Sequence, residues 1–194
     1  MAYAQRQPVM TPEEFLAWEA TQQEKHDFVD GEVFAMAGAE RRHIVASMNI
    51  AFALRQHLSD SRCGTFMADM KVAAADESSY FYPDVVVACD ERGGKDPLLV
   101  REPTLIVEVL SPSTAAYDLG AKFARYQRIA SLREIVFIDL DERRASVYRK
   151  DADGRRWMLE SFDQGADVLL ASVDLTMTAA ALFAGVDEAE SGSS

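Results

Sequence analysis

Hydrophobic and polar residues follow two different periods along this chain, and the first sixty residues predict two helices joined by a hairpin. Residues 11–14, TPEE, form a capping box with proline at the first helical position, so a short helix is expected to begin there. Residues 40–58 carry apolar side chains with helical spacing, which predicts a long helix that covers a sheet. Between them, residues 25–36 predict a hairpin that turns at the Asp-Gly pair 30–31.

Four apolar runs further along the chain predict the strands of a sheet. They cover residues 65–74, 81–89, 104–110 and 134–140. A helix that begins between Ser113 and Asp118 separates the last two runs, and it carries Phe123, Tyr126 and Ile129 towards a core. The order of strands and helix predicts a mixed α/β core.

The remaining third of the chain predicts mainly short strands. A second hairpin is expected at 144–150 and 155–163, followed by a short strand near 168–170 and a final segment at 174–183. Nothing in the pattern divides the chain, so residues 1–186 are expected to form one domain. Residues 187–194 are acidic and rich in serine and glycine, which predicts a disordered tail.

Two carboxylates stand where a buried strand favours aliphatic side chains. Asp84 lies at the entry of the run 81–89, and Glu108 lies inside the run 104–110. An ionised carboxylate is costly to bury unless a cation or a hydrogen-bond donor contacts it. A divalent metal shared by both residues is the simplest partner. The alternative is packing alone, in which Asp84 accepts hydrogen bonds within a turn after Pro83.

A charged face on the following helix is the second candidate for chemistry. Asp118, Lys122 and Arg125 fall on one helical face by their spacing. On its own this pattern is typical of a surface ion pair, which contributes a few tenths of a kcal/mol. The two carboxylates upstream favour a functional role instead.

The acidic pair followed by a lysine resembles the PD-(D/E)XK nuclease superfamily, and more specifically the Uma2 family of restriction-endonuclease-like proteins. The resemblance covers most of residues 11–150. It rests on DGE at 30–32, His43 opening a helix, YPD at 82–84, VEVLSPST at 107–114, Asp118, Lys122, Tyr126, Glu134 and Asp139. One departure is clear, because Leu110 stands where the superfamily usually has its lysine. In some branches that lysine lies on the following helix, where Lys122 is the candidate.

The resemblance implies a restriction-endonuclease-like core with an extra N-terminal hairpin and a C-terminal β-hairpin. It further implies that Asp84, Glu108 and the carbonyl of Val109 hold Mg²⁺ or Mn²⁺, and that Lys122 supports the attacking water or the phosphate. Glu32 is then a third acid near the metal, or else an exposed hairpin charge. His43, Asp118 and Tyr126 are expected around the site, facing phosphate or supporting the ligands, although a lone histidine is commonly a surface or capping residue.

Charge and composition limit the function that this resemblance implies. The formal net charge of −12 argues against a general nucleic-acid binder, although basic clusters such as Arg41-Arg42 soften the argument. The resemblance nevertheless makes a DNA nuclease the leading hypothesis, with the acidity as the main evidence against it. A non-catalytic interaction protein with the same fold and a metal-dependent hydrolase of small phosphorylated substrates remain open.

Location and assembly are predicted from other features of the chain. No apolar run reaches the roughly 18 residues that span a bilayer, and the first ten residues lack the apolar core of a signal peptide, so a cytoplasmic protein is expected. Of the two cysteines, Cys89 is interpreted as a small buried hydrophobe, while a disulfide with Cys63 stays open. Apolar residues in the late hairpin, among them Leu159, predict a homodimer.

Overall fold

Two β-sheets organise the chain, as seen in a computed structural model that describes residues 9–36, 38–74, 77–89 and 96–187. The strands of the first sheet are β1 (His26–Val29), β2 (Glu32–Ala35), β4 (Lys71–Ala73), β5 (Ser79–Phe81) and β7 (Leu99–Val100). The strands of the second are β3 (Gly64–Met67), β6 (Val85–Ala88), β8 (Leu105–Leu110), β9 (Glu134–Asp139), β10 (Arg144–Lys150) and β11 (Trp157–Phe162). Strands β12 (Val168–Leu170) and β13 (Leu175–Met177) form a separate pair.

Both large sheets are mixed. The first runs in the order β2-β1-β5-β4-β7, with β4 and β7 parallel, and the second runs β11-β10-β9-β8-β6-β3, with β8 and β9 parallel. The helices are α1 (Pro12–Glu19), α2 (Arg41–His57), α3 (Ala115–Tyr117), a π-helical turn (Asp118–Lys122), α4 (Phe123–Tyr126) and α5 (Ala179–Leu182). The predicted mixed α/β fold is confirmed. Across the described ranges, no helix has the length and apolar character needed to cross a bilayer.

The six-stranded sheet is covered on both faces, and each face has its own apolar core. Val85 and Val107 face the side covered by α2 and the C-terminal segment, whereas Val86 and Ile106 face the helical segment that ends in α4. This alternation is the two-residue period expected of a strand buried on both sides. Because these strands are buried on both faces, any charged residue within them needs a partner from a covering element.

Several predicted elements are confirmed. The capping box opens α1, with Thr11 Oγ1 accepting from the Glu14 amide at 3.2 Å and Glu14 Oε2 accepting from the Thr11 amide at 2.8 Å. The first hairpin turns at Asp30 and Gly31, whose φ angles of 49° and 94° are those that a tight hairpin turn requires. The tail predicted to be disordered lies, beyond residue 187, outside the described residues.

The runs 65–74 and 81–89 were each predicted as one strand, and this prediction is wrong. The first run leaves the six-stranded sheet after β3 at Ala68, which has a φ of 55°, and joins the other sheet as β4. The second run joins β5 to β6 across Tyr82 and Pro83. Tyr82 donates its amide hydrogen to Asp27 Oδ1 at 3.2 Å, and Pro83 has no amide hydrogen, so the strand ladder is interrupted there.

Helix α2 and the cysteines also differ from expectation. Ile44 and Met48 share the apolar spacing of residues 40–58 but are exposed, because the stripe that contains Ile50 and Leu54 is the one that packs in the core. Gly64 pairs with Ala88, so the residues next to them in the chain, Cys63 and Cys89, lie at neighbouring strand ends. These two cysteines form a disulfide. The interpretation of Cys89 as a simple buried hydrophobe is therefore wrong.

Candidate active site

Asp84 and Glu108 lie together at one end of the six-stranded sheet. In the antiparallel pairing of β6 with β8, Val85 is opposite Val107, and one further step in the same register brings Asp84 opposite Glu108. Both residues line a cavity of about 560 Å³ between the two sheets and the helical segment after β8. The structure thus places the two carboxylates that stand out in the sequence on one wall of a single cavity.

Glu108 is the more deeply buried of the pair, with 3% of its surface exposed. Its Oε1 atom accepts a hydrogen bond from the Tyr126 hydroxyl at 2.7 Å and lies 2.9 Å from the Lys122 ammonium. Burial raises the pKa of Glu108 to about 8, and the attraction of Lys122 only partly opposes that effect. Glu108 therefore lacks full compensation for its buried charge.

Lys122 is the last residue of the π turn that precedes α4, and its side chain reaches Glu108. Residues Asp118, Lys122 and Tyr126 are spaced four apart, and all three are buried on the side that faces Glu108. Lys122 Nζ also lies 3.6 Å from Asp118 Oδ1. Burial disfavours the ammonium, but Glu108 and the other nearby carboxylates outweigh burial and raise the pKa of Lys122. π turns within helices are frequent at functional sites.

Arg125 does not join this group, although the sequence places it on the same helical face. Its guanidinium forms an ion pair with Asp30 in the turn of the first hairpin. Arg125 therefore contacts a different acid from the one that Lys122 contacts.

Asp84 is held by contacts from two other elements. The amide of Val109 donates to Asp84 Oδ2 at 2.7 Å, and His43 Nε2 lies 3.1 Å from the same oxygen. His43 is in the first turn of α2, as the sequence suggests. Burial disfavours its protonated form, but the hydrogen bond with Asp84 and the charge of that carboxylate raise the pKa of His43. His43 is thus a direct contact of Asp84.

Asp27 is a further buried carboxylate in the cavity, and the sequence reasoning missed it. It is 5% exposed, and burial raises its pKa against the opposing attraction of Lys122. Glu32 was instead considered as the third acid near the metal, but Glu32 is exposed on β2 and lies outside the residues that line the cavity. Asp27 directly precedes Phe28, which packs in a core, so both faces of β1 are buried at this point.

The oxygen donors of this site fit a hard divalent cation in their chemistry. The contacts described above use Oδ2 of Asp84 and Oε1 of Glu108, and the backbone of Val109 lies against Asp84. Carboxylate and carbonyl oxygens are the ligands that Mg²⁺ and Mn²⁺ favour. Among the described residues, no group of three or more His, Cys, Asp or Glu side chains is arranged to hold a metal ion. A cation here would therefore depend on two side chains, a backbone oxygen and water.

A family model and two related proteins match most of this chain. The family model Uma2, described as "Putative restriction endonuclease", matches residues 12–181. Two proteins of Synechocystis sp. are similar over most of their length. Uncharacterized protein slr1290 is 34% identical over 179 residues, covering 92% of this chain and 94% of the relative. Uncharacterized protein sll1609 is 36% identical over 163 residues, covering 82% and 92%.

A solved structure supports the fold. The crystal structure of a "putative nuclease belonging to DUF820" from Anabaena variabilis matches with a TM-score of 0.74, covering 91% of this chain and 99% of that chain. Its sequence identity of 18% limits this likeness to the fold. The family match over most of the chain, together with the paired acids and the buried lysine at its centre, shows that this chain belongs to the Uma2 family of putative restriction endonucleases.

Proposed function

We propose that this chain is a divalent-metal-dependent nuclease that hydrolyses DNA phosphodiester bonds at the cavity between the two sheets. Asp84, Glu108 and the carbonyl of Val109 hold Mg²⁺ or Mn²⁺. The observation that supports this proposal most directly is the placement of Asp84 opposite Glu108, with the ammonium of Lys122 2.9 Å from Glu108. The metal, when bound, polarises the phosphate and lowers the pKa of a bound water.

Lys122 contributes positive charge to the reaction. Its pKa is raised above the ordinary value, so the side chain keeps its proton at neutral pH and cannot act as a general base. A fixed ammonium instead donates hydrogen bonds to the attacking water or to a phosphate oxygen, and stabilises the negative charge that develops there. Carboxylates that surround Lys122 hold it in place for this role.

The neighbouring residues position the two acids. Tyr126 donates to Glu108 and fixes the direction of that carboxylate, while His43 and the Val109 amide fix Asp84. Groups that orient ligands in this way commonly contribute 10- to 100-fold to metal affinity or activity, as an order of magnitude. Asp27 adds a further buried negative charge near Lys122 and helps to keep the ammonium charged.

Metal-dependent cleavage of plasmid and short DNA substrates tests this proposal. The wild type is assayed with Mg²⁺, with Mn²⁺ and with chelator, beside Asp84→Asn, Glu108→Gln and Lys122→Met. Each variant is expected to lose activity by roughly 100-fold or more. Asp163→Asn is the matched control, because this acid is exposed in a turn away from the cavity. Cleavage that persists with chelator, or that all three cavity variants retain, contradicts the proposal.

One observation favours a second candidate, a non-catalytic interaction protein that keeps the nuclease fold. The net charge of −12 opposes binding to nucleic acid. Calorimetric titration with Mn²⁺ separates the two candidates. The nuclease requires binding that disappears in Asp84→Asn, whereas a folded wild-type protein that binds no metal supports the interaction protein.

A further inference from the structure

Phe34 and Tyr117, which together form an aromatic wall, line the same cavity as the carboxylates. Phe34 on β2 is 37% exposed, and its ring centroid lies 5.9 Å from that of Tyr117 in the helical segment. Met36, at the end of the same strand, is 41% exposed and also lines the cavity. Large apolar side chains that stay exposed beside polar groups are typical of ligand contacts.

The geometry of the first hairpin directs this wall towards the acids. Phe34 is directly opposite Asp27 in the pairing of β1 with β2, so the two side chains lie on the same face of the sheet. Strand β2 is the edge of its sheet, which leaves the outer side of Phe34 uncovered. The aromatic ring is therefore presented at the mouth of the cavity, with a buried acid behind it.

The acidic lining of the cavity opposes recognition through many backbone phosphates of a duplex. Its acidic lining residues are Asp27, Glu40, Asp84, Glu108 and Asp118. Among the described residues that line it, the only cationic side chains are Lys122 and, when protonated, His43. Nearby arginines are already paired, Arg42 with Asp141 and Asp187, and Arg125 with Asp30. A protein that holds duplex DNA by its backbone uses a basic surface that contacts several phosphates.

Base stacking supplies binding energy without positive charge. Every base has an aromatic face, and stacking on a protein ring does not depend on sequence. A base can reach Phe34 only if it is unpaired, because a paired base offers its edges and not its faces. From the exposed ring, the acidic lining and the paired arginines, we infer that the substrate of this site is an unpaired DNA strand whose base stacks on Phe34 beside Tyr117. This inference rests on the proposed nuclease function.

Binding of a short single-stranded oligonucleotide that carries a fluorescent base analogue tests the inference. The probe is titrated with Ca²⁺ as the only divalent cation, and its fluorescence is quenched when the base stacks. Phe34→Ala is expected to weaken binding by about 10-fold and to abolish quenching. Phe34→Trp is expected to keep both, and Phe34→Leu, which is apolar but has no ring, is expected to behave as Phe34→Ala does.

The matched control is Phe52→Ala. Phe52 is 70% exposed on α2 and does not line the cavity, so its loss removes the same side chain from another surface. Thermal unfolding of each variant excludes loss of the fold. Equal binding by Phe34→Ala and Phe52→Ala, or tighter binding of the intact duplex than of the single strand, overturns the inference.

Cleavage assays with the same variants separate this inference from the proposed function. DNA cleavage with no dependence on Phe34 leaves the nuclease intact and removes the stacking site. Binding that depends on Phe34, without cleavage of any DNA, removes the nuclease and leaves the stacking site. If both hold, single strands and frayed ends are cleaved faster than intact duplex, and Phe34→Ala reduces that preference.

Discussion

Removing the cation from the buried pair of Lys122 and Glu108 is expected to destabilise the protein strongly. The two residues are 4% and 3% exposed, and their charged atoms lie 2.9 Å apart. Lys122→Met keeps most of the side-chain volume but removes the cation beside Glu108, and breaking a buried pair in this way costs about 3–5 kcal/mol at a pH above the folded pKa of Glu108, where the carboxyl group is ionised in the wild type. Glu108→Gln keeps the shape and leaves Lys122 near Asp118, so a smaller loss of about 1–3 kcal/mol is expected.

A double-mutant cycle isolates the interaction from these separate losses. The variant with both changes removes the Lys122–Glu108 pair as a whole and leaves only Asp118 and Asp27 without the cation, so it is expected to be more stable than the sum of the single losses predicts, by up to about 3 kcal/mol. Urea unfolding at constant slope measures all four proteins. The matched control is the exposed pair of Arg101 and Glu77, which has the same 2.9 Å separation but 47% exposure on each side. Its coupling is expected to stay below about 1 kcal/mol.

The pH dependence of the cycle gives a second measurement. Burial raises the pKa of Glu108 to about 8 in the presence of Lys122. Because Lys122 lowers this pKa, the loss of Lys122 is expected to raise it further. The folded protein then holds a proton that the unfolded chain releases near pH 4.5, so stability falls as the pH rises from that value through the folded pKa. Lys122→Met is therefore expected to lose stability between pH 6 and pH 9 more steeply than the wild type. Additive single losses, or a coupling no larger than that of the control pair, refute the view that Lys122 holds Glu108.

Three further predictions concern other parts of the chain. Burial raises the pKa of Asp27, so the ionised carboxylate disfavours folding at a pH above its ordinary pKa of 3.8. In urea unfolding, Asp27→Asn is therefore expected to exceed the wild type in stability by more at pH 7 than at pH 4, while its DNA cleavage falls. The predicted homodimer is expected to use the exposed Leu159 on edge strand β11, so light scattering should detect a monomer for Leu159→Lys, and a wild-type monomer contradicts the idea. The disulfide closes a loop of 26 residues, and Cys63→Ser is expected to cost about 3 kcal/mol in urea unfolding, the same loss that a reductant causes in the wild type.

The sequence revealed Asp84 and Glu108 because each is locally out of place. A carboxylate among aliphatic residues is visible without knowledge of the fold, since its burial demands a partner. Lys122 was found only through its spacing and the family resemblance, because no pattern in residues 113–126 shows which strand residue its side chain contacts. Asp27 was missed for a related reason, since a hairpin strand of four residues gives too short a pattern to show that both of its faces are buried.

The two divided strands show a different limit of local pattern. Residues 65–74 alternate well enough for one strand, yet they belong to two sheets. The alternation reports which face of a strand is buried, and it does not report which sheet buries it. The turn at Ala68, which has a positive φ, could not be predicted from the sequence, because alanine is not a residue type that favours such a turn. For 81–89 the warning was present, because Pro83 cannot donate to a ladder.

The break at residues 82–84 explains why the N-terminal hairpin belongs to the site and is more than an addition to the fold. Asp27 on β1 accepts the Tyr82 amide hydrogen, and Pro83 and Asp84 follow directly, so the hairpin fixes the chain where it enters β6. The same hairpin supplies the aromatic wall through Phe34. The cavity therefore requires both sheets to be packed together, although its two proposed metal-binding side chains belong to the second sheet alone. Local unfolding of the first sheet would release Asp84, remove Phe34 from the cavity and take Phe81 away from Tyr126, which holds Glu108, so the site is expected to be lost together with that sheet.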